Sequence, residues 1–307
     1  MPLWLEHPKY VPVRDRLIEY LRSNKYRFRR LAPVLFLCGG AGSARRDTLR
    51  DYLRKYASGV NLFYAESVWN QIAAQGNRNA LEMESDLAAL ADLVIIIVES
   101  PGTFTELGAF SLSEPLRKKL VAIVDSKYKS PTEPSFISTG PLQWINSDSS
   151  FGPTVFASFS HILEAVDEIE TRIARIPKPR SVRISDLASS QKHLLFFLCD
   201  LISVIHPATV DAIKYYLTRI APSLLTAPID IPTLVGLAVA MGLLQEARLP
   251  SPSCPGPFFY PSDIEAVRRP FHHTRHLDLE SLRAAHVAVM LNIPQARELM
   301  AELRRLS

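Results

Sequence analysis

The chain has 307 residues, 47% apolar and 21% charged. That is enough for one large or two ordinary domains and too apolar for wholesale disorder. Its strictly apolar runs, Leu93–Val98 and the glycine-interrupted Leu234–Leu244, fall short of the roughly 18–20 residues of a membrane span. The start, MPLWLEHPKYVPVRDR, has acid, proline and arginine where a signal peptide is apolar, and Cys38, Cys199 and Cys254 form no CxxC pair. A non-exported, cytoplasmic protein without disulfides or a zinc ribbon is the expectation.

The net charge of +4 is uneven: residues 1–30 carry eight Lys/Arg against three acids, and residues 60–115 carry eight acids against Arg78. A basic arm over residues 1–30 fits a polyanion partner and equally fits a solvated amphipathic helix. Residues 12–23 have helical spacing, with Val13, Leu17, Tyr20 and Leu21 on one face and arginines on the other. Val34–Cys38 reads as a buried strand closed by Gly39-Gly40, 44–57 as a helix, Val60–Tyr64 as a strand and Ala80–Leu90 as a helix. Asp92–Val98 is apolar on both faces, as a central parallel strand is. A helix is expected to start near Thr103, followed by strands at Leu120–Val124 and Pro153–Ala157. A helix over 158–176 then has Ile162, Ala165, Val166, Ile169, Ile173 and Ile176 on one stripe. This alternation over residues 31–177 predicts an α/β doubly wound parallel sheet, with its ligand at the carboxyl ends of the strands near the switch in strand order.

Ile176-Pro-Lys-Pro-Arg180 reads as a linker, and the alternation stops after it. Helical segments at about 187–205, 207–220 and 232–243 precede a possible hairpin, Leu244–Leu249 with Phe258–Tyr260. Residues 278–306 add helices broken near Pro294. Residues 178–307 are therefore expected to form a mostly helical, winged-helix-like domain.

The loop after the central strand, Glu99-Ser-Pro-Gly-Thr-Phe-Thr-Glu-Leu-Gly-Ala-Phe110, carries the chemistry. Ser100, Gly102, Thr103 and Thr105 offer hydroxyls and close backbone approach at a helix N-terminus, where a phosphate is favoured. Glu106 is expected in the first turn, ionised beside the helix dipole and suited to be a nucleophile. Thr103-x-x-Glu106 also has the spacing of a capping box with no catalytic role. Gly108 would allow close packing or leave room for a sugar. Cys38 with Gly39 and Gly40 could cradle ribose or phosphate or simply turn the chain. The stretch lacks GxGxxG spacing, which disfavours a standard dinucleotide fold.

Phe36-Leu-Cys-Gly-Gly40, Phe63-Tyr-Ala-Glu66 and Ser100–Phe110, with Leu116–Asp125 and Ser135–Pro141, resemble the nucleoside deoxyribosyltransferase-like effectors of bacterial retrons over about residues 31–145. The resemblance implies a flavodoxin-like fold that cleaves N-glycosidic bonds, with Glu106 in the nucleophile's position. It also implies an antiviral toxin held in check by a reverse transcriptase and its multicopy single-stranded DNA, and an oligomer is expected. A weaker likeness is to phosphoribohydrolases with Pro-Gly-Gly-x-Gly-Thr-x-x-Glu, of which only Pro101-Gly-Thr-Phe-Thr-Glu106 remains.

One carboxylate suffices for NAD, because its cationic nicotinamide leaves neutral; neutral leaving bases need a second acid. NAD or a related nucleotide is thus the expected substrate, with no separate cofactor. Glu66 follows the second strand and is a candidate for ribose hydroxyls. Asp92 starts its strand and is expected to be structural. The competing reading is a nucleotide-sensing, nucleic-acid-binding module without catalysis. His272-His273-x-x-His276 sits among arginines, which disfavours a metal. Trp144 and Tyr128 are candidates for base stacking, though core packing is the expected use of each. Pro232–Gly242, which would be the recognition helix of a winged helix, has no Arg, Lys, Asn or Gln to read bases. Phosphate contacts are expected instead from Arg27, Arg29, Arg30, Lys192, Lys214, Arg219, Arg248, Arg268 and Arg269.

If the basic arm binds nucleic acid, replacing Arg27, Arg29 and Arg30 by glutamine weakens that binding and lowers the slope of log affinity against log salt by up to about 3. An unchanged slope in a salt titration removes the arm from the interface.

Overall fold

The computed structural model describes residues 4–22, 27–29, 33–57, 60–64, 86, 88–129, 133–177, 181–225, 230–248, 256–262, 272–273 and 279–306. The chain divides into two compact units, residues 32–178 and residues 1–31 with 179–307. The latter begins with helix α1 (Val11–Arg22) and strand β1 (Arg27–Arg29).

The unit of residues 32–178 is built on β2 (Val34–Cys38), β3 (Asn61–Phe63), β4 (Leu93–Ile97), β5 (Leu120–Asp125) and β6 (Val155–Ala157). They form a parallel sheet in the order β3-β2-β4-β5-β6. Helix α2 (Ala44–Tyr56) follows β2, α3 (Pro101–Leu112) follows β4, α4 (Pro141–Asp148) precedes β6 and α5 (Val166–Ala174) follows it. Every residue of β2 and β4 is buried, which is why both strands read as unbroken apolar runs. The two-residue period of a strand divides β2 between two faces. Leu35 and Leu37 join a core with Leu49 and Leu53 of α2 and with Ile162, Val166 and Ile169. Phe36 stacks on Phe63 at 5.0 Å and lies 6.5 Å from Phe110 of α3.

At the amino ends of the strands, Asp92 N–H donates to Val34 O at 2.7 Å and its carboxylate accepts from Val34 N–H at 2.9 Å. That position fastens β2 to β4 at the end away from the ligand loops, the structural role expected of Asp92. The helix expected over 158–176 starts later, as a 3-10 turn at Ile162–Ala165 leading into α5. The Ser158 hydroxyl accepts from Ser160 N–H, and Glu164 Oε2 accepts from Ser158 N–H. Such local bonds to side chains compete with helix hydrogen bonding. Of the helix expected over 80–90, residues 86 and 88–90 are helical; the rest lies outside the described residues.

In the other unit β1 is the centre of an antiparallel sheet, between β7 (Ser181–Arg183) and a two-residue strand, His272–His273. This sheet is a correction to the helical arm expected over residues 1–30: among the described residues of that range the α-helix is α1, and Arg27–Arg29 are a strand. Its partners lie far along the chain, beyond the reach of local periodicity. Helices α6 (Gln191–Ile205), α7 (Val210–Ile220) and α8 (Ile231–Ala240) lead into an antiparallel hairpin, β8 (Leu244–Arg248) and β9 (Pro257–Pro261). Helices α9 (Leu279–Met290) and α10 (Pro294–Leu306) complete it. No helix among the described residues is long and apolar enough to cross a membrane.

Of the arginine face expected on α1, Arg16 and Arg22 are exposed, but Arg14 is buried with Leu17, Ile18 and Leu21. Its guanidinium pairs with Glu6 at 2.9 Å and Asp15 at 2.7 Å and donates to Leu5 O, partners that satisfy the buried charge. Nearby, Tyr10 Oη lies 2.9 Å from His286 Nδ1 and 3.4 Å from Tyr216 Oη. Burial lowers both His286 and His206 to about 3, with Arg283 adding to each shift.

Both imidazoles are therefore neutral in the folded chain, and stability present above pH 6.5 is lost as pH falls toward 3. Each histidine contributes about 1.4 kcal/mol per pH unit below its unfolded value. In denaturant titrations at pH 7 and pH 5, His286→Gln should reduce the pH dependence by roughly half of the part due to the two histidines. An equal slope in wild type and variant contradicts the assignment.

Candidate functional site

The order of the sheet reverses between β2 and β4, the switch point at whose carboxyl ends doubly wound sheets take their ligands. Two loops leave the strands there: Gly39-Gly40-Ala41-Gly42 after β2 and Val98-Glu99-Ser100 after β4. Close approach explains the first two glycines. A Cβ on Gly39 would lie 2.8 Å from Arg46 Cβ, and one on Gly40 would lie 3.3 Å from Ser100 Cβ. Gly42 adopts φ +66°, a conformation that side chains disfavour. Ser43 then caps α2 by accepting from Arg46 N–H at 3.2 Å.

The residue that joins the loops is Glu99, which sequence reasoning passed over. Its side chain is only 4% exposed. Oε1 accepts from Gly40 N–H at 3.0 Å, and Oε2 pairs with Arg45 Nη1 at 2.8 Å. Arg45 in turn donates from Nε to Phe159 O at 2.8 Å and lies 5.0 Å from the Phe159 ring centroid. The available signal was an acid placed directly after a strand buried on both faces. A buried carboxylate at that place needs dedicated partners.

Helix α3 begins earlier than its spacing implied. Pro101 occupies its first position and Ser100 is the N-cap, a placement for which proline's fixed φ is suited. The capping box is Ser100 with Thr103, which corrects the Thr103–Glu106 pairing. Thr103 is 1% exposed; its hydroxyl accepts from Glu99 N–H and Ser100 N–H and donates to Ser100 O. Thr105 donates its hydroxyl to Pro101 O at 3.0 Å. Glu106 is the sixth residue of the helix rather than a first-turn residue, beyond the part where the helix dipole is strongest. It is half-buried with Oε2 shielded from solvent. Gly108 lies two residues on and about 200° round the helix from Glu106; a Cβ there would meet nothing within 4 Å.

The structure thus brings Gly40, Glu99, Ser100 and Thr103 together, with Gly39 and the buried Cys38 at the end of β2. Gly102 is exposed at the start of α3. Glu66 lies outside the described residues. Tyr128 and Trp144 are 58% and 46% exposed, which corrects the expectation of core packing; Trp144 lies beneath the Arg117 guanidinium. Beside α2 a cavity of about 470 Å³ is lined by Arg45, Thr48, Phe159, Ser160, His161 and Leu163, among others. No cluster of three metal-ligating side chains occurs among the described residues.

The basic residues expected to meet nucleic acid are spread over several elements. Arg27 and Arg29 lie in β1, Lys192 in α6, Lys214 in α7 and Arg248 at the end of β8. Arg248 pairs with Glu246 and Arg219 stacks on Tyr215, while Arg30, Arg268 and Arg269 lie outside the described residues. Leu234–Val239 of α8 is buried throughout, so this helix is core and offers no face for bases.

The fold is a parallel α/β sheet with glycine loops at its switch point, the place where proteins of this architecture take small ligands. A family model described as STM3845 retron effector protein matches residues 42–246, more than half of the chain, and the chain belongs to this retron effector family. It is similar to the Escherichia coli "Retron Ec86 putative ribosyltransferase/DNA-binding protein", 40% identical over 141 residues that cover 44% of this chain and 45% of that protein. A second similar protein from the same organism, with the same description for retron Ec73, is 40% identical over 123 residues, 38% of each chain. The matched segments span less than half the length of either relative.

Glu99→Ala leaves Gly40 N–H and Arg45 without their acceptor and should lower unfolding stability by about 1–3 kcal/mol. Glu99→Gln keeps an acceptor for Gly40 and should lose less. Equal stability of all three chains in urea melts contradicts the bridging role.

Proposed function

We propose that this chain is a retron effector enzyme of antiviral defence that cleaves the N-glycosidic bond of NAD or a related nucleotide, with Glu106 as nucleophile. The observation that carries the reading is the placement of Glu106 on the helix that leaves the switch point of the sheet, after loops in which Gly39 and Gly40 permit close backbone approach. The strand order is that of flavodoxin-like sheets, which bind nucleotides at this point. The ribosyltransferase description of the two relatives is a further support.

In this mechanism the loops at Gly39, Gly40 and Ser100 shape the site for phosphate or ribose by close backbone approach, with the Gly40 and Ser100 N–H groups engaged by Glu99 and Thr103, and Gly102 allows close approach. Thr103 and Thr105 fix the turn with hydroxyls already engaged in backbone bonds. A Glu106 carboxylate oxygen attacks the anomeric carbon as the bond to nicotinamide breaks. Nicotinamide leaves neutral with the bonding electron pair, so no general acid is needed. Water then cleaves the ribosyl ester and regenerates the carboxylate. The cavity beside Arg45 suits the remaining half of a dinucleotide. Glu66 is assigned to the ribose hydroxyls.

In the cell, the reading includes an oligomer held inactive by the retron reverse transcriptase with its multicopy single-stranded DNA. The order of three helices and a hairpin in α6–β9 supports a winged-helix-like docking module. The apolar burial of α8 favours contact through phosphates or protein rather than base readout.

Glu106→Gln preserves size and polarity while removing the charge that stabilises an oxocarbenium-like sugar. Base release from NAD should fall at least about 100-fold, with the fold and nucleotide affinity retained. Near-normal turnover of a folded variant would exclude Glu106 as nucleophile. Wild-type binding of nucleotides with no release of any base favours the sensing module instead.

A further inference from the structure

Within the unit of residues 32–178, the cavity of about 470 Å³ lies between Arg45 and Thr48 of α2 and the loop Phe159-Ser160-His161 that follows β6. Both walls leave the carboxyl ends of strands. Arg45 is held at three points. Nη1 pairs with Glu99 Oε2 at 2.8 Å, Nε donates to Phe159 O at 2.8 Å, and the guanidinium lies 5.0 Å from the Phe159 ring centroid. The side chain is nevertheless 43% exposed, and Nη2 donates to no protein group among the described residues. The Ser160 hydroxyl and the His161 ring likewise bond to no protein group among them. The loop backbone is satisfied internally, because Ser158 accepts from Ser160 N–H and from His161 N–H. Leu163, 45% exposed, adds an apolar edge, and no acid lines the cavity among the described residues. A fixed guanidinium, an aromatic ring and two unengaged polar side chains therefore meet at one concave space.

We propose that this cavity holds the nucleoside of the non-reacting half of a dinucleotide, which makes the chain selective for dinucleotides over mononucleotides. The inference rests on the reading that Glu106 acts on the ribose of a nucleotide. Aromatic rings and guanidinium planes are the surfaces on which bases stack. Glu99 already balances the charge of Arg45, so the site favours a neutral planar group over a further anion. Nη2, Ser160 and His161 are placed to bond the edge of the base or the ribose hydroxyls, and the volume falls in the range of small-ligand cavities. Placement supplies the selectivity. Helix α2 packs on the sheet face that carries Leu35 and Leu37, whereas α3 packs on the face of Phe36. The cavity and Glu106 thus belong to helices on opposite faces, and the Gly39-Gly40 and Glu99-Ser100 loops lie at the strand ends between them. Dinucleotides bind doubly wound sheets across this switch point. A mononucleotide with its ribose at Glu106 leaves the cavity empty.

The test uses the full chain and reads binding and cleavage separately. AMP and ribose 5-phosphate share a phosphorylated ribose and differ by the base. In calorimetric titrations AMP should bind at least about tenfold more tightly, the effect of one base stack. Leu163→Trp, which fills the cavity from an exposed position, should remove that preference, and Ser160→Ala combined with His161→Ala should reduce it without adding bulk. Absence of a preference for AMP, or a preference that survives both variants, overturns the proposal. In cleavage assays kcat/KM for NAD should exceed that for nicotinamide mononucleotide at least about tenfold, and Leu163→Trp should bring the ratio toward one. Equal kcat/KM for the two substrates in the wild-type chain also overturns it. An AMP preference that Leu163→Trp removes, with neither substrate cleaved, supports the cavity as a nucleoside site and counts against the reading of Glu106 instead.

Discussion

The candidate site depends on one buried carboxylate. Glu99 ends the most apolar strand of the sheet and turns toward the neighbouring loop, where it accepts Gly40 N–H and pairs with Arg45. A carboxylate removed from water is tolerated only with such partners, and losing one leaves the other uncompensated. The bridge therefore holds the two loops at a defined separation at the switch point of the sheet. Gly39 and Gly40 are glycines because Arg46 and Ser100 approach so closely. Ser100 and Thr103 then start α3, and the position of Glu106 follows from where that helix begins.

This chain of dependence separates structural acids from the catalytic candidate. Asp92 fastens β2 to β4 at the amino ends of the strands, while Glu99 fastens the loops at the carboxyl ends. Both are engaged with the backbone. Glu106 stands a turn and a half along α3. A carboxylate that acts on a sugar has to be held in place, and Glu106 sits on a helix that follows β4, every residue of which is buried.

Much of the architecture was legible because the physics that forms it is local. The runs Val34–Cys38 and Leu93–Ile97 announce strands covered on both faces, and the stripe from Ile162 to Ile176 announces the helix that covers one of them. The proline near 294 and the hairpin at Leu244–Arg248 were visible for the same reason. The central strand Arg27–Arg29 was not, because its pairing partners lie over 150 residues away. The register of α3 was misread by one turn. Ser-x-x-Thr and Thr-x-x-Glu both offer capping spacing, and Pro101 at the first helical position resolves them in favour of Ser100. Glu99 was missed because its partners, Gly40 and Arg45, come from a loop and a helix more than 50 residues earlier. Arg14 was misplaced on a solvent face because its buried ion pairs with Glu6 and Asp15 leave no trace in hydrophobic periodicity.

The most direct measurement of the central claim is a search for the ribosyl ester on Glu106. Wild-type chain mixed with NAD and quenched in acid at early times is digested, and the peptide containing Glu106 is weighed and fragmented. The account predicts an ADP-ribosyl mass increment on that residue that appears with nicotinamide release and decays as the ester is hydrolysed. Release of nicotinamide at full rate with the increment on another carboxylate would contradict it.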